Sequence, residues 1–418
     1  MKNARTFRSH SESNHIESRR DLVTACGSGK GEEDDFMGSS RVVQITCIAM
    51  LLFAACADPI TKPSSGGSQA GHAVAYSLQI VGDGSAQVTG IDLAAGDVEA
   101  RVTIKPSNGP AVFPDSVVMA NGKQLIVAHT TTQGQELKVL DSNTGETLDS
   151  EPVSDLVANQ VPTDYMFPAG GRVFIYQSTI VGEATSEQRI STYDVSSQSL
   201  LPETIHLGRC DARAMLAPLS ESRLAVYCGV DDQLHLMTIT DKGDVVSKSS
   251  TALPSPTSLA SVPEPQTVVS VTDSADGKLT YIVKRGGDVH SFDTSTGRLE
   301  ESLKLPIPKG AYVNSAESSA DGTDLVVTTG DGLQFDASSA SSISRISTGA
   351  WRVVATTDLH QQVSDLVVTP DGRALMFADD SRAILETSFV NGRFSRAKRI
   401  PLPSGWAVDL EVPLSPTP

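Results

Sequence analysis

Four aspartates stand where short β-rich runs begin. Asp115 precedes Ser-Val-Val, Asp164 precedes Tyr-Met-Phe, Asp211 follows Cys210, and Asp365 precedes Leu-Val-Val. Carboxylates gathered at one opening would hold a cation, a sugar or a cationic peptide, and their mutual repulsion would raise some of their pKa values. Aspartate also caps turns by accepting from nearby backbone N–H groups, so the pattern has an architectural reading too. Other chemistry is sparse. The histidines after residue 56 (His72, His129, His206, His235, His290 and His360) include no two at a local metal-ligand spacing, so no metal site is predicted. His129 closes a β-rich run and reads as a solvated strand-end residue. A Gly-x-Ser-x-Gly nucleophile elbow is missing. Catalytic residues therefore stay unassigned, and no cofactor is predicted.

The elements that would position the aspartates are strands. From about residue 74 short β-rich runs alternate with turn signals, and no long stretch has helical periodicity. Lys123–His129, Arg172–Tyr176, Leu279–Val283 and Ala374–Ala378 are strong examples. Seven similar turns join a third strand to a fourth. They centre on Gly96, Gly145, Gln198, Gly243, Gly297, Gly349 and Gly392. Their separation of roughly 43–54 residues is that of a four-stranded propeller blade. Glycine turns such as Asn121-Gly122 and Asp371-Gly372 mark the first-to-second hairpins.

The fold predicted is all-β: a seven-bladed β-propeller over residues 73–413. Its first unit, near 74–104, has three strands, and Trp406–Val412 is an orphan run. The C-terminal strand is expected to pair with the N-terminal blade and seal the ring. The four aspartates then lie at the channel mouth, at the first residues of inner strands. By the same strand count Arg209, Arg285, Tyr312, Arg382 and Trp406 approach that face. Residues 330–342 read as a loop inserted in blade five.

Ser319-Ala-Asp-Gly-Thr-Asp-Leu-Val-Val-Thr328 and Thr369-Pro-Asp-Gly-Arg-Ala-Leu-Met-Phe-Ala378 resemble the blades of bacterial YVTN-type propellers. These belong with the amine dehydrogenase heavy chains and lactonase-like propellers. The resemblance spans about 74–412 and implies blade architecture, not one activity, because that superfamily hosts binding subunits, carriers and enzymes.

Residues 42–55 are an apolar stretch too short to span a bilayer but suited to a signal-peptide core. Leu52-Phe-Ala-Ala-Cys56 resembles a bacterial lipobox, which implies lipidation of Cys56 and a membrane anchor facing the extracytoplasmic side. Residues 1–36 are polar and read as an extension ahead of a leader at 37–55. Residues 56–72 read as a flexible tether. Two further cysteines, Cys210 and Cys228, flank the inner and second strands of blade three and are expected to form a disulfide in an oxidising compartment.

The chain carries 50 acidic and 33 basic residues, a net charge of -17. Residues 1–55 hold seven of each sign, so the remainder keeps the whole excess. An acidic surface excludes nucleic acid as a partner, since binding it needs cations that displace counterions. The expected function is an exported, lipid-anchored module that binds an unidentified small molecule or protein. The alternatives are a lactonase-like or amine-dehydrogenase-like enzyme or subunit, and a metal carrier.

Overall fold

The computed structural model describes residues 74–80, 85–104, 111–131, 134–154, 163–169, 171–181, 185–208, 215–220, 222–228, 233–254, 268–274, 276–330, 341–378, 382–402 and 406–412. All their regular elements are strands, arranged as the seven blades of a β-propeller.

Blade one contains β1 (Val74–Ile80), β2 (Ala86–Asp92) and β3 (Asp97–Ile104). Blade two runs through β4 (Ala111–Ala120), β5 (Gln124–Thr131), β6 (Gly134–Asp141) and β7 (Thr147–Ser154). Blade three has β8 (Thr163–Ala169), β9 (Arg172–Val181), β10 (Thr185–Asp194) and an outer strand in two pieces, β11 (Ser199–Leu200) and β12 (Ile205–Gly208). Blade four follows with β13 (Met215–Ser220), β14 (Arg223–Cys228), β15 (Gln233–Ile239) and β16 (Val245–Ala252). Blade five is β17 (Val268–Asp273), β18 (Leu279–Lys284), β19 (Asp288–Asp293) and β20 (Leu299–Lys304). Blade six is β21 (Tyr312–Ser318), β22 (Asp324–Gly330), β23 (Ser342–Ser347) and β24 (Arg352–Asp358). Blade seven comprises β25 (Val363–Val368), β26 (Arg373–Ala378), β27 (Ala383–Val390) and the split outer pair β28 (Arg393–Phe394) and β29 (Lys398–Pro401).

The last strand, β30 (Trp406–Glu411), returns to blade one and pairs antiparallel with β1. It is the inner strand of that blade, whose order is β3-β2-β1-β30. It also touches β4 on one side and β25 on the other, which closes the inner ring. A closed ring leaves few unpaired sheet edges. Two numbering expectations need correction. Cys228 ends the second strand of the fourth blade, not the third, because the incomplete first unit counts as a full blade. The segment between β22 and β23 accordingly belongs to blade six, and most of it lies outside the described residues.

Burial follows distance from the axis. Second strands are buried on both faces, as in β22, whereas outer strands such as β16 and β20 are almost wholly exposed. That gradient is why Leu-Val-Val and Leu-Met-Phe runs alternate with polar runs in the chain. Each gap between blades is filled by side chains from both neighbours. Leu78, Val88, Val117 and Val127 join blades one and two, while Leu375, Phe377, Ile91 and Leu410 join blades seven and one. No blade has a core of its own, so the ring holds together as one unit.

Candidate functional site

The face where inner strands begin is shaped by bulges. In β4 the register shifts between Pro114 and Ser116, which makes Asp115 the extra residue. Asp115 therefore sits four residues into its strand, not at the first position expected. In β25 the shift falls between Ser364 and Val367, and Asp365 has a left-handed φ of 56°. Bulges re-aim side chains, and non-glycine residues held at positive φ concentrate at functional sites. Asp164 lies near the start of β8, paired with Gln177 of β9. Asp211, Arg209, Cys210 and Cys56 lie outside the described residues. In blades five and six Val269 and Asn314 occupy the corresponding bulges.

One carboxylate on this ring has a visible task. Asp409 of β30 accepts from Ser116 Oγ and from the Val117 backbone N–H, both at 2.8 Å, and so ties the last strand to β4. Ser116 Oγ in turn accepts from the Met166 N–H of β8 at 3.4 Å. This clasp runs across three successive inner strands. Sequence reasoning missed Asp409, although Asp409-Leu-Glu-Val repeats the spacing of Asp365-Leu-Val-Val.

The rim is uneven. The β9–β10 hairpin holds ten register pairs and β5–β6 eight, whereas β18–β19 holds five and β22–β23 six. The extra pairs lie at the mouth end, since the opposite ends of these hairpins are level. At ~3.3 Å per residue, blade three rises about 15 Å above blade five.

Between the two tall walls, the apolar filling gives way to polar side chains. Gln177 donates through Nε2 to Gln135 Oε1. Its own Oε1 accepts from Arg189 Nε at 2.9 Å and from Ser191 Oγ at 3.2 Å. Gln135, Gln177 and Ser191 are all buried. Two donors of this network, Gln135 Nε2 and Arg189 Nη2, are buried with no hydrogen-bond partner among the described residues. Leaving such groups unmet costs about 1–3 kcal/mol each. On the opposite face of β6, toward blade one, Glu136 is 1% exposed and pairs with Lys138 Nζ at 2.9 Å, and it also accepts from Ser150 Oγ. The available signal was the run Gly134-Gln-Glu and the pair Gln188-Arg189, polar residues at strand positions that face a neighbouring blade.

The low side of the mouth is basic. Lys284 is buried at the end of β18, with Nζ 3.3 Å from the Pro254 carbonyl. Arg285 is buried and stacks over the Tyr312 ring at 4.9 Å. Sequence reasoning placed these two residues near the mouth, and the structure brings them into contact. Arg382 is exposed just ahead of β27, where its carbonyl accepts from Leu402 N–H. Trp406 opens β30.

Three of the histidines lie within second or third strands. His129 falls within β5 instead of following it, opposite Pro114 and Glu136. His235 and His290 are buried at matching third-strand positions, each with Nδ1 against an outer-strand serine, Ser250 at 2.7 Å and Ser302 at 2.9 Å. Among the described residues no three His, Cys, Asp or Glu come together as metal ligands. Cys228 is buried at the end of β14.

No protein-family model matches the chain, and no curated protein matches its sequence. Solved structures do match its fold. The periplasmic gluconolactonase of Pseudomonas aeruginosa aligns at 15% identity with a TM-score of 0.59, covering 83% of this chain and 100% of that one. A 6-phosphogluconolactonase-like protein of Bacteroides uniformis aligns at 13% and 0.55, covering 82% and 100%. A Lactobacillus plantarum protein aligns at 12% and 0.55, covering 82% and 99%. At these identities the likeness is one of fold alone, that of a β-propeller.

Proposed function

We propose that the chain is an exported, lipid-anchored propeller whose mouth binds a small polyhydroxylated molecule against the tall wall of blades two and three. The observation that carries this reading is the buried network of Gln135, Gln177 and Arg189, with two unmet donors, beside the inner strands that bear Asp115 and Asp164. Amide and guanidinium donors next to carboxylate acceptors suit a ligand that presents hydroxyl and carbonyl oxygens together. The anchor would be Cys56, with residues 57–72 as tether. A Cys210–Cys228 disulfide belongs to the same export reading.

A second reading keeps the same site and adds chemistry. Two of the matched folds are described as a gluconolactonase and a 6-phosphogluconolactonase-like protein. Under this reading a sugar lactone occupies the mouth, its carbonyl oxygen facing the unmet donors, and a mouth carboxylate serves as general base for water.

A thermal-shift titration with gluconate, glucono-δ-lactone and neutral hexoses tests both readings. The expected outcome is a dose-dependent rise in Tm with at least one of these compounds. Gln135→Leu and Asp115→Asn with Asp365→Asn should abolish that rise. Hydrolysis of the lactone above its spontaneous rate, lost in the same variants, selects the enzyme. No shift with any compound, or shifts unchanged in the variants, overturns the site.

A further inference from the structure

The third-to-fourth turn repeats one design in five blades, and in blade six it carries an unusual residue. Four residues separate Asp92 from Asp97, Asp194 from Ser199, Asp293 from Arg298, and Ser347 from Arg352. The last of the four has a left-handed φ: Gly96 at 69°, Gln198 at 51°, Gly297 at 73° and Trp351 at 47°. Gly145 closes the blade-two turn at 68°. Glycine is the expected occupant, because a Cβ in this conformation meets the following carbonyl.

The position also faces the preceding blade. A Cβ on Gly297 would lie 2.6 Å from Thr251 Oγ1 of blade four, and one on Gly145 would strike Val102 of blade one. Between blades five and six the large indole of Trp351 takes this place instead, which requires the two blades to stand apart. The gap is a groove of about 480 Å³ on the face opposite the mouth.

Trp351 is half-buried, stacks on Tyr281 at 6.1 Å and forms the apolar wall of the groove. Its Nε1–H is buried without a partner among the described residues. The polar walls are ion pairs. Lys278 Nζ meets Asp276 Oδ2 at 2.8 Å, and Arg298 meets Glu300 Oε1 through Nε at 3.0 Å and Nη2 at 2.7 Å. Glu301 completes the lining beside them.

We propose that this groove binds a neutral carbohydrate, one sugar ring packing against Trp351 and its hydroxyls spanning the two ion pairs. The lining selects this class. Asp276, Asp293, Glu300 and Glu301 outnumber Lys278 and Arg298, which disfavours an anion, and a hydroxyl donates to these carboxylates while accepting from the paired cations. An aromatic wall beside such pairs matches a ligand with an apolar ring face and a polar edge. The groove is formed from residues of blades five and six alone, so this proposal stands apart from the mouth.

The test is an array of neutral oligosaccharides probed with the full chain, followed by tryptophan-fluorescence titration of any glycan retained. Retention of at least one glycan is expected, with affinity reduced tenfold or more in Trp351→Gly and in Glu300→Gln. Trp351→Gly places at this position the residue used in blades one, two and five, relieving the left-handed backbone while removing the ring stacked on Tyr281, so a cooperative unfolding transition is confirmed for each variant first. The native chain has two tryptophans, and the saturable fluorescence change should vanish in Trp351→Gly. No retained glycan overturns the proposal. Retention unchanged in both folded variants overturns it too, as does a groove that takes a polylysine peptide in preference to every glycan.

Discussion

Asp409 shows how one side chain can hold a ring shut. Its carboxylate receives a hydroxyl and a backbone N–H from the adjacent inner strand, and that N–H belongs to Val117, which is fully buried. Removing the acceptor breaks both of these bonds in a buried setting. Asp409→Ala should therefore cost about 1–3 kcal/mol of stability, and Ser116→Ala less, about 0.5–1.5 kcal/mol, because the Val117 bond survives. Urea denaturation of both variants checks the order; equal losses would mean that Ser116, not the backbone N–H, carries the clasp. The same residue marks a boundary of sequence reasoning. The aspartate spacing at inner-strand starts was visible in Asp115 and Asp365, but a spacing does not say which carboxylate faces a channel and which faces the next blade. That choice rests on bulges at Asp115 and Asp365, which are set by pairing between strands and leave no mark in residue type.

Turns are the elements that were most legible. An aspartate ending the third strand folds over its own turn, as Asp293 does with the N–H groups of Ser295 and Thr296, at 3.0 and 2.7 Å. Asp141 and Asp194 do the same. These bonds hold the carboxylates below their ordinary value: Asp293 sits at about 2, chiefly through the Ser295 and Thr296 hydroxyls. Asp276, on a first-to-second turn, also sits at about 2, chiefly through Lys278. A carboxylate lowered by folding stabilises the fold fully above its unfolded pKa near 3.8 and ceases to as pH falls through the folded value. Stability should thus be level from pH 7 to about pH 4.5 and fall between pH 4 and pH 2, read as the urea midpoint against pH. A midpoint unchanged at pH 2 would remove the turns from the account. Turn glycines separate backbone from packing in the same way. Gly122 and Gly145 have φ of 69° and 68°, but only Gly145 faces a neighbouring blade at Val102. Gly122→Ala should cost about 1 kcal/mol for the left-handed backbone, and Gly145→Ala a further ~1–3 kcal/mol for the overlap. Equal costs would show that the blades yield at that contact. The Gln135–Gln177–Arg189 network was less legible than the turns. Polar residues inside a strand read as solvent-facing, and only the height of two adjacent hairpins turns them inward.

At the scale of the whole molecule, seven sheets without separate cores are closed by a strand from the far end of the chain. That architecture followed from turn spacing and one orphan run, because a propeller repeats the same physical solution in every blade. Function did not follow as readily, since it depends on where the ring departs from its symmetry. The mouth is tall and polar at blades two and three and basic at blade five, and the inner strands that carry Asp115 and Asp365 are bulged there. The opposite face has a groove where Trp351 stands at a position that is glycine in blades one, two and five. Both departures underlie the proposals of small-molecule recognition, in a chain of net charge -17. The most direct test of the mouth is native mass spectrometry of the chain purified from cells that express it, beside the variant with Asp115→Asn, Asp365→Asn and Gln135→Leu. The account predicts a bound small molecule on the native chain that is absent from the folded variant. An identical adduct on both, or a native chain of bare mass that takes up no polyol or lactone at millimolar concentration, would contradict it.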